Sequence, residues 1–372
     1  VNILFLNSIR EEIYGGMEEW IRLVGAGLAA RGHGLFVMGR HDSEFLRRLR
    51  SSETHLNLLS LKISGDFNPV TIGKVARVMK KNSIDIVVAN FNKDLRIGGL
   101  AARLARRPRV VWSIGIKITR DNWIHRHLTP QLFDRVIVPS ESLKSQIISD
   151  QYIKSDTVEV IPIGLKANEI AIDKMTALRE LRHRYSLPAD AIVAITSARF
   201  VEQKGHQTLI EAAPTIVRLF PRLYFLWLGS GPLELKLKAR IRELNLERHF
   251  IFAGMLDDLN LELFGADFMI HPSVDEPFGL AILEGMRSGL PIVAGRAGGI
   301  PEVVREGENA VLFKPGSKEE LTAAVIAVAS SEETRRQLSA ESLRRWQTEF
   351  SYEIMLDRIE NCFQNLISQG KN

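Results

Sequence analysis

Two carboxylates with seven residues between them stand in Glu276-Pro277-Phe278-Gly279-Leu280-Ala281-Ile282-Leu283-Glu284. Pro277 and Gly279 mark a turn, and the apolar pattern predicts a helix over about 279–288. Eight helical positions span at most ~12 Å, so one carboxylate sits before the helix and the other about two turns inside it. A diphosphate lying on the first amides of that helix, near Gly279 and Leu280, would fall between them. Hydroxyl-bearing rings on either side would each meet a carboxylate acceptor. That arrangement suits a nucleotide sugar. Taken alone, the pair fits an exposed loop glutamate and a solvated helix glutamate at least as well.

A second candidate is Ser197-Ala198-Arg199-Phe200-Val201-Glu202-Gln203-Lys204-Gly205, between a strand and a helix. Arginine and lysine at a helix entrance can clamp a diphosphate; a solvated basic loop is the equal alternative. Leu228-Gly229-Ser230-Gly231-Pro232 also ends a strand and opens a helix, and glycine there permits close backbone approach to a ligand. The third glycine of a dinucleotide fingerprint is missing. Gly298-Gly299-Ile300-Pro301-Glu302 predicts a tight turn and a helix with proline near its start. Tyr14-Gly15-Gly16 follows the first strand and could cradle an anion or a sugar. Each glycine turn, alone, is more often structural.

These loops need strands to hold them. Short apolar runs predict strands over 2–6, 35–38, 84–89, 110–112, 136–138 and 158–161, separated by helical periods over 17–30, 70–81, 95–106 and 140–149. The pattern then restarts, with strands over 191–197, 223–228, 250–253, 268–271 and 291–294 and helices over 205–219 and 232–244. A final helix is expected over 351–367, with Ile354, Leu356, Ile359, Phe363 and Leu366 as its apolar stripe. Nearly uniform apolar strands alternating with helices imply parallel sheets covered on both faces. Such sheets bind ligands at the carboxyl ends of their strands, where every candidate loop lies. Two consecutive α/β sets predict two Rossmann-like domains, 1–165 and 166–350, joined across 162–173.

The 372 residues exceed one ordinary core, and 45% hydrophobic with 25% charged residues is a globular composition. A single cysteine, Cys362, excludes a disulfide framework and a paired-cysteine zinc site and fits a reducing cytoplasm. No apolar run reaches the ~18 residues of a membrane span. The apolar start, 1–7, is short and lacks a basic leader, so it reads as a strand and not a signal peptide. Residues 1–165 hold 24 Lys+Arg against 16 Asp+Glu, a balance of +8, within a chain of +5. Arg103, Arg106, Arg107 and Arg109 cluster, and Lys74, Arg77, Lys80 and Lys81 form a helical face. A basic half of this kind serves an anionic surface or is simply a solvated face. Nucleic acid is not expected, because no basic–aromatic interleaving or reader motif appears.

In combination, the motifs resemble the retaining glycosyltransferases of the GT-B fold, in glycosyltransferase family 4. The resemblance covers essentially the whole chain and is densest over 198–315. There Ala198-Arg199…Lys204-Gly205, Leu228-Gly229-Ser230-Gly231-Pro232, Phe252-Ala253-Gly254, His271-Pro272-Ser273, Glu276…Glu284 and Gly298-Gly299…Pro301-Glu302 follow in the family's order. The resemblance implies two Rossmann-like domains facing across a cleft, the first on the acceptor side and the second holding a nucleotide sugar. The final helix, 351–372, would pack back on the first. By position, Glu276 would face the donor sugar and Glu284 hold the ribose hydroxyls. Arg199 and Lys204 would neutralise the leaving diphosphate, to which Gly279 and Leu280 would give amides. Phe252 and Gly254 would border the base, Gly229 and Gly231 would line the donor, and Gly15 and Gly16 would approach diphosphate and acceptor. No metal and no cofactor are implied.

The implied activity is transfer of a hexosyl-type sugar to a glycan or lipid-linked acceptor in bacterial cell-envelope polysaccharide or lipopolysaccharide synthesis. The expected location is cytoplasmic, at the periphery of an anionic inner-membrane surface met by the basic first half. The sequence departs from the family where relatives carry a first-domain histidine. The corresponding segments read Val110-Val111-Trp112-Ser113-Ile114-Gly115-Ile116 and Ala89-Asn90-Phe91-Asn92. Asn92, Ser113 or the Gly115 backbone could cover that role; the nearby His125 and His127 read as surface or packing residues. Ile163-Gly164-Leu165-Lys166 replaces an Asn-Gly-Val-Asp usual between the domains. A non-catalytic nucleotide-sugar binder and a GT-B epimerase are the alternative functions.

Overall fold

The computed structural model describes residues 1–9, 16–51, 56–62, 65, 67–106, 108–117, 123–149, 152–167 and 173–369, without the side chains of 124 and 125. They form two compact units, Val1–Pro162 with Glu353–Asn372, and Ile163–Tyr352.

Unit 1 holds seven parallel strands, β1 (Asn2–Asn7), β2 (Gly34–Gly39), β3 (Asn57–Ser60), β4 (Ile86–Ala89), β5 (Arg109–Ser113), β6 (Arg135–Val138) and β7 (Val158–Val160), in the order β3-β2-β1-β4-β5-β6-β7. Its helices are α1 (Gly16–Ala30), α2 (Glu44–Ser51), α3 (Pro69–Lys81), α4 (Asn92–Ala105), α5 (Trp123–His127) and α6 (Glu141–Ile148). Ile3, Leu4 and Phe5 of β1 and Val87, Val88 and Ala89 of β4 are wholly buried, because helices cover both faces of the sheet.

Unit 2 repeats the scheme with six strands, β8 (Ile192–Ser197), β9 (Leu223–Leu228), β10 (Phe250–Gly254), β11 (Phe268–His271), β12 (Ile292–Gly295) and β13 (Ala310–Phe313), in the order β10-β9-β8-β11-β12-β13. Its helices are α7 (Lys174–Arg184), α8 (His206–Leu219), α9 (Glu234–Glu243), α10 (Asn260–Gly265), α11 (Leu280–Arg287), α12 (Ile300–Val303), α13 (Lys318–Ala329) and α14 (Glu332–Glu349). The order reverses between β8 and β11, which pair in parallel through Ala194–Phe268 and Ile195–Met269. Two neighbouring strands whose connections leave in opposite directions open a crevice at their carboxyl ends. That crevice falls between the loop carrying Arg199 and Lys204 and the loop carrying Glu276.

The last helix, α15 (Tyr352–Gln369), carries Glu353, Asp357 and Glu360 to Arg31, at 2.5, 2.7 and 3.0 Å. Glu360 also meets His33 at 2.8 Å. The chain leaving and re-entering unit 2 is stitched where Leu165 N donates to Phe350 O and Tyr352 N to Leu165 O. Lys166 lies 4.8 Å above the Tyr352 ring. Among the described residues no helix is long and apolar enough to cross a membrane.

Candidate functional site

Glu276 stands in the turn between β11 and α11 and is 7% exposed. Its Oε2 accepts from Lys204 Nζ at 2.6 Å and His271 Nε2 at 2.8 Å, with Ser273 Oγ at 3.4 Å. Ser273 Oγ also lies 2.9 Å from His271 Nε2. A carboxylate only accepts, so Nε2 of the His271 ring is protonated. Its Nδ1 is buried without a partner, which costs roughly 1–3 kcal/mol. The imidazole's hydrogen bonding is therefore all directed at Glu276 and Ser273. Burial raises the Glu276 carboxyl, but the hydrogen bond and field of His271, then Lys204, overcome it and hold it down at about 2. At neutral pH the group is a buried anion with two cation-capable partners on one oxygen.

The surrounding turns are pinned by backbone. Gly299 N donates to Glu276 O at 2.8 Å, and Val274 N to Gln203 O at 2.9 Å, which ties the Lys204 loop to the Glu276 loop. Gly279 caps α11 with φ of 104°, a conformation that a side chain resists. One expectation changes as a result. The left-handed Gly279 stands outside the helix, so Glu284 is the fifth residue of α11 and about 6 Å along its axis. It lies one turn inside, where the spacing in sequence predicts two. Leu280 opens the helix and Glu284 is half-buried.

Arg199 is exposed and pairs with no carboxylate among the described residues. Lys204, by contrast, spends one of its three N–H donors on Glu276. Gly229 and Gly231 answer a requirement of the fold. A Cβ on Gly231 would come within 2.5 Å of Phe200 O, and one on Gly229 within 2.2 Å of Ala198 O. Phe200 N donates to Ser230 O, and Gly229 N to Gly254 O. These glycines let the β9 turn press against the Arg199 loop. The ring of Phe252 is engaged by Phe200 and Trp227, with Lys238 4.7 Å above it, so the strand end beyond it, at Gly254, is the open part. Gly16 begins α1 and is exposed, while Gly15 lies outside the described residues, as do Tyr14 and Arg107.

Sequence reasoning assigns no role to three residues that the structure brings to this region: His271, Ser273 and His206. The first two stand in a quoted motif, His271 as the last residue of β11. His206 opens α8 and is 2% exposed, its ring packed edge-on to Phe200 and Trp227. Burial, then the charges of His271 and Lys204, push its imidazole down to about 4, so it is neutral at physiological pH. In unit 1, Asn90 follows β4 with its Oδ1 buried and unpartnered, and Asn92 opens α4. Ser113 ends β5 and is buried. His127 is exposed and stacks on Trp123; the His125 side chain is outside the described set. Among the described residues no cluster of three or more histidine, cysteine, aspartate or glutamate could hold a metal.

The chain matches the family model described as Glycosyl transferases group 1 over residues 179–345 and that described as Glycosyltransferase Family 4 over 14–169. It is 30% identical over 276 residues, 69% of this chain and 70% of the relative, to a GDP-mannose-dependent alpha-(1-6)-phosphatidylinositol monomannoside mannosyltransferase of Mycolicibacterium smegmatis. It is 33% identical over 176 residues, 47% of this chain and 51% of the relative, to the lipopolysaccharide core biosynthesis glycosyltransferase LpsE of Rhizobium meliloti. The chain spans about half the length of that protein and of other curated relatives. Among solved structures, Anabaena HepE in complex with UDP and glucose superposes with a TM-score of 0.82 at 22% identity, covering 97% of this chain and 99% of that one. The chain belongs to the group 1, or family 4, glycosyltransferases, and its two parallel-sheet units are those of the GT-B fold.

Proposed function

We propose that this protein is a retaining glycosyltransferase that moves a hexosyl-type sugar from a nucleotide-sugar donor to a glycan or lipid-linked acceptor of the bacterial cell envelope. Unit 2 holds the donor and unit 1 serves the acceptor. The observation that carries the reading is the ionised, nearly buried Glu276 clamped by Lys204 four residues before Leu280, the first residue of α11. The diphosphate would rest on the amides of Gly279 and Leu280, with Arg199 and the free donors of Lys204 neutralising it. Glu284, one turn on, would accept from ribose hydroxyls. In the step, the acceptor oxygen bonds the anomeric carbon from the face the diphosphate leaves. The bond from that carbon to the phosphate oxygen breaks, and the acceptor proton passes to the departing phosphate. The protein's contribution is orientation and stabilisation of leaving charge, without a metal.

Thermal shift against UDP, GDP, ADP, CMP and NAD tests the donor class. A concentration-dependent rise with one nucleoside diphosphate is expected; a rise with NAD alone would sink the reading. Product analysis then separates transfer with retained configuration from epimerised donor, and from the unchanged donor that a non-catalytic binder would leave.

The acceptor side also suggests an anionic membrane surface. Helix α3 exposes Lys74, Arg77, Lys80 and Lys81 on one side with Val70, which is 62% exposed. Arg103 and Arg106 are exposed at the end of α4 beside Leu104, while Arg109 is partly spent on Asp134 at 2.9 Å. Binding to phosphatidylglycerol vesicles at low salt is expected, weakening with salt. Equal binding by a variant with all four α3 charges changed to glutamine would remove this part of the proposal.

A further inference from the structure

We infer that His271 is a positioning residue for Glu276: with Lys204 it ties up one carboxylate oxygen, Oε2, and so presents the other, Oε1, to the donor sugar. This deepens the glycosyl-transfer reading and rests on it. All three partners of the carboxylate, Lys204 Nζ, His271 Nε2 and Ser273 Oγ, meet the same oxygen. Oε1 accepts nothing among the described residues, yet it is not one of the sealed, unpartnered atoms. A carboxylate held at one oxygen can turn only about that contact, so the direction of its free oxygen is set by the clamp.

Lys204 alone would not set that direction. Its ammonium ends a flexible four-carbon chain and is a point charge with no preferred angle. The imidazole is planar, 2% exposed and fixed at the end of β11, so its N–H has one bearing. Ser273, fully buried, bridges the same nitrogen and the same oxygen. The unpartnered Nδ1 indicates that the ring is held by packing and directed by this single polar edge. The titratable groups facing this oxygen are Lys204 and His271; His206 packs behind them and is held neutral.

Replacement by the two amides differing only in reach isolates the role. A glutamine in place of His271 need not rebuild the ring, only return an N–H near the position of Nε2. His271→Gln is therefore expected to keep most of the activity. His271→Asn, whose amide is one carbon shorter, is expected to lose roughly 10- to 100-fold in kcat, the scale seen when a partner orienting an active-site ligand is removed. Donor KM should change little. The acidic limb of the pH profile should move upward in His271→Asn as Glu276 loses its partner. Melting temperature and nucleoside-diphosphate binding establish that both variants fold.

Carbon-13 NMR titration of glutamate-labelled protein, with the Glu276 signal assigned by its loss in Glu276→Gln, reads the same carboxyl without needing turnover. An upward shift of its titration in His271→Asn but not in His271→Gln supports the inference. Unchanged titration, or equal kcat in the two folded variants, overturns it. A protein that transfers no sugar at all would fail the reading of function while leaving the NMR result to decide the role of His271.

Discussion

Both sheets reverse their strand order once, between β1 and β4 in unit 1 and between β8 and β11 in unit 2, and each reversal keeps a buried acid close by. The two acids are driven in opposite directions. Asp94, in the first turn of α4 after β4, accepts from the backbone N–H of Ser8 at 2.8 Å and of Phe91 at 3.2 Å. Burial outweighs those bonds and pushes it up to about 7. Glu276 is nearly as buried, yet an ammonium and an imidazole on one oxygen hold it at about 2. Topology supplies a crevice twice; side-chain partners decide whether the acid there is a stitch in the fold or an anion ready for chemistry. Asp94 ties the end of β1 to the start of α4, and Glu276 leaves one oxygen unclaimed.

The harshest way to break this contrast is to remove the charge from each acid. Glu276→Gln keeps shape and loses the anion, and transfer should fall by about 10²–10³, the scale of a lost transition-state electrostatic contact, in a variant that still folds but melts lower at neutral pH. Asp94→Asn should leave kcat within a few-fold. Comparable losses in both variants, from steady-state turnover of the preferred donor, would mean that the two acids do not differ in the way their partners imply.

A smaller effect is expected from crowding the Arg199 loop. Gly231→Ala places a carbon within 2.5 Å of Phe200 O and 2.7 Å of Phe200 N, backbone atoms that must move. Overpacking of this kind costs about 1–3 kcal/mol, and the displaced loop carries Arg199. Calorimetry should show nucleoside-diphosphate affinity weakened by roughly tenfold, with a lower melting temperature. Unchanged affinity would detach Arg199 from the donor site.

The same contrast marks what the sequence makes legible. Strands over 223–228 and 268–271 coincide with β9 and β11, because apolar runs buried along nearly their whole length and bounded by turn residues stand out. Strands β3 and β13 and helix α2 escape such a reading. Strand β3 is exposed at both ends, the middle two residues of β13 are only half-buried, and α2 makes barely two turns with only Phe45, Leu46 and Leu49 buried. Glu276 and Lys204, which the structure joins at 2.6 Å, stand out in the sequence as candidates by type and by their place in strand-end loops. The clamp from His271 does not, since it arises from a turn that folds a strand's last residue onto an acid five positions later. Gly231 is legible as a glycine, but not what it approaches: a sequence shows a missing side chain, not the backbone that fills its place.

The gentlest test lies in the pH dependence of stability, where the two acids should act with opposite sign. A raised acid binds its proton more tightly when folded, so what Asp94 contributes is present below 3.8 and is lost as pH rises through about 7. A depressed acid does the reverse: the contribution of Glu276 is present above 4.5 and is lost as pH falls through about 2. Denaturation of the wild type from pH 2 to 8 should therefore show a stability that rises from the acid end and declines toward neutrality. Asp94→Asn should flatten the decline between 3.8 and 7 and leave the acid side alone, while Glu276→Gln should flatten the rise between 2 and 4.5. If both variants altered the same pH window, the opposition between an ion-paired acid and one held by uncharged hydrogen-bond donors would fail. If each acts in its own window, the pairing of Glu276 is measured without substrate, and the charge of a buried acid is set by whether its partners outweigh its burial.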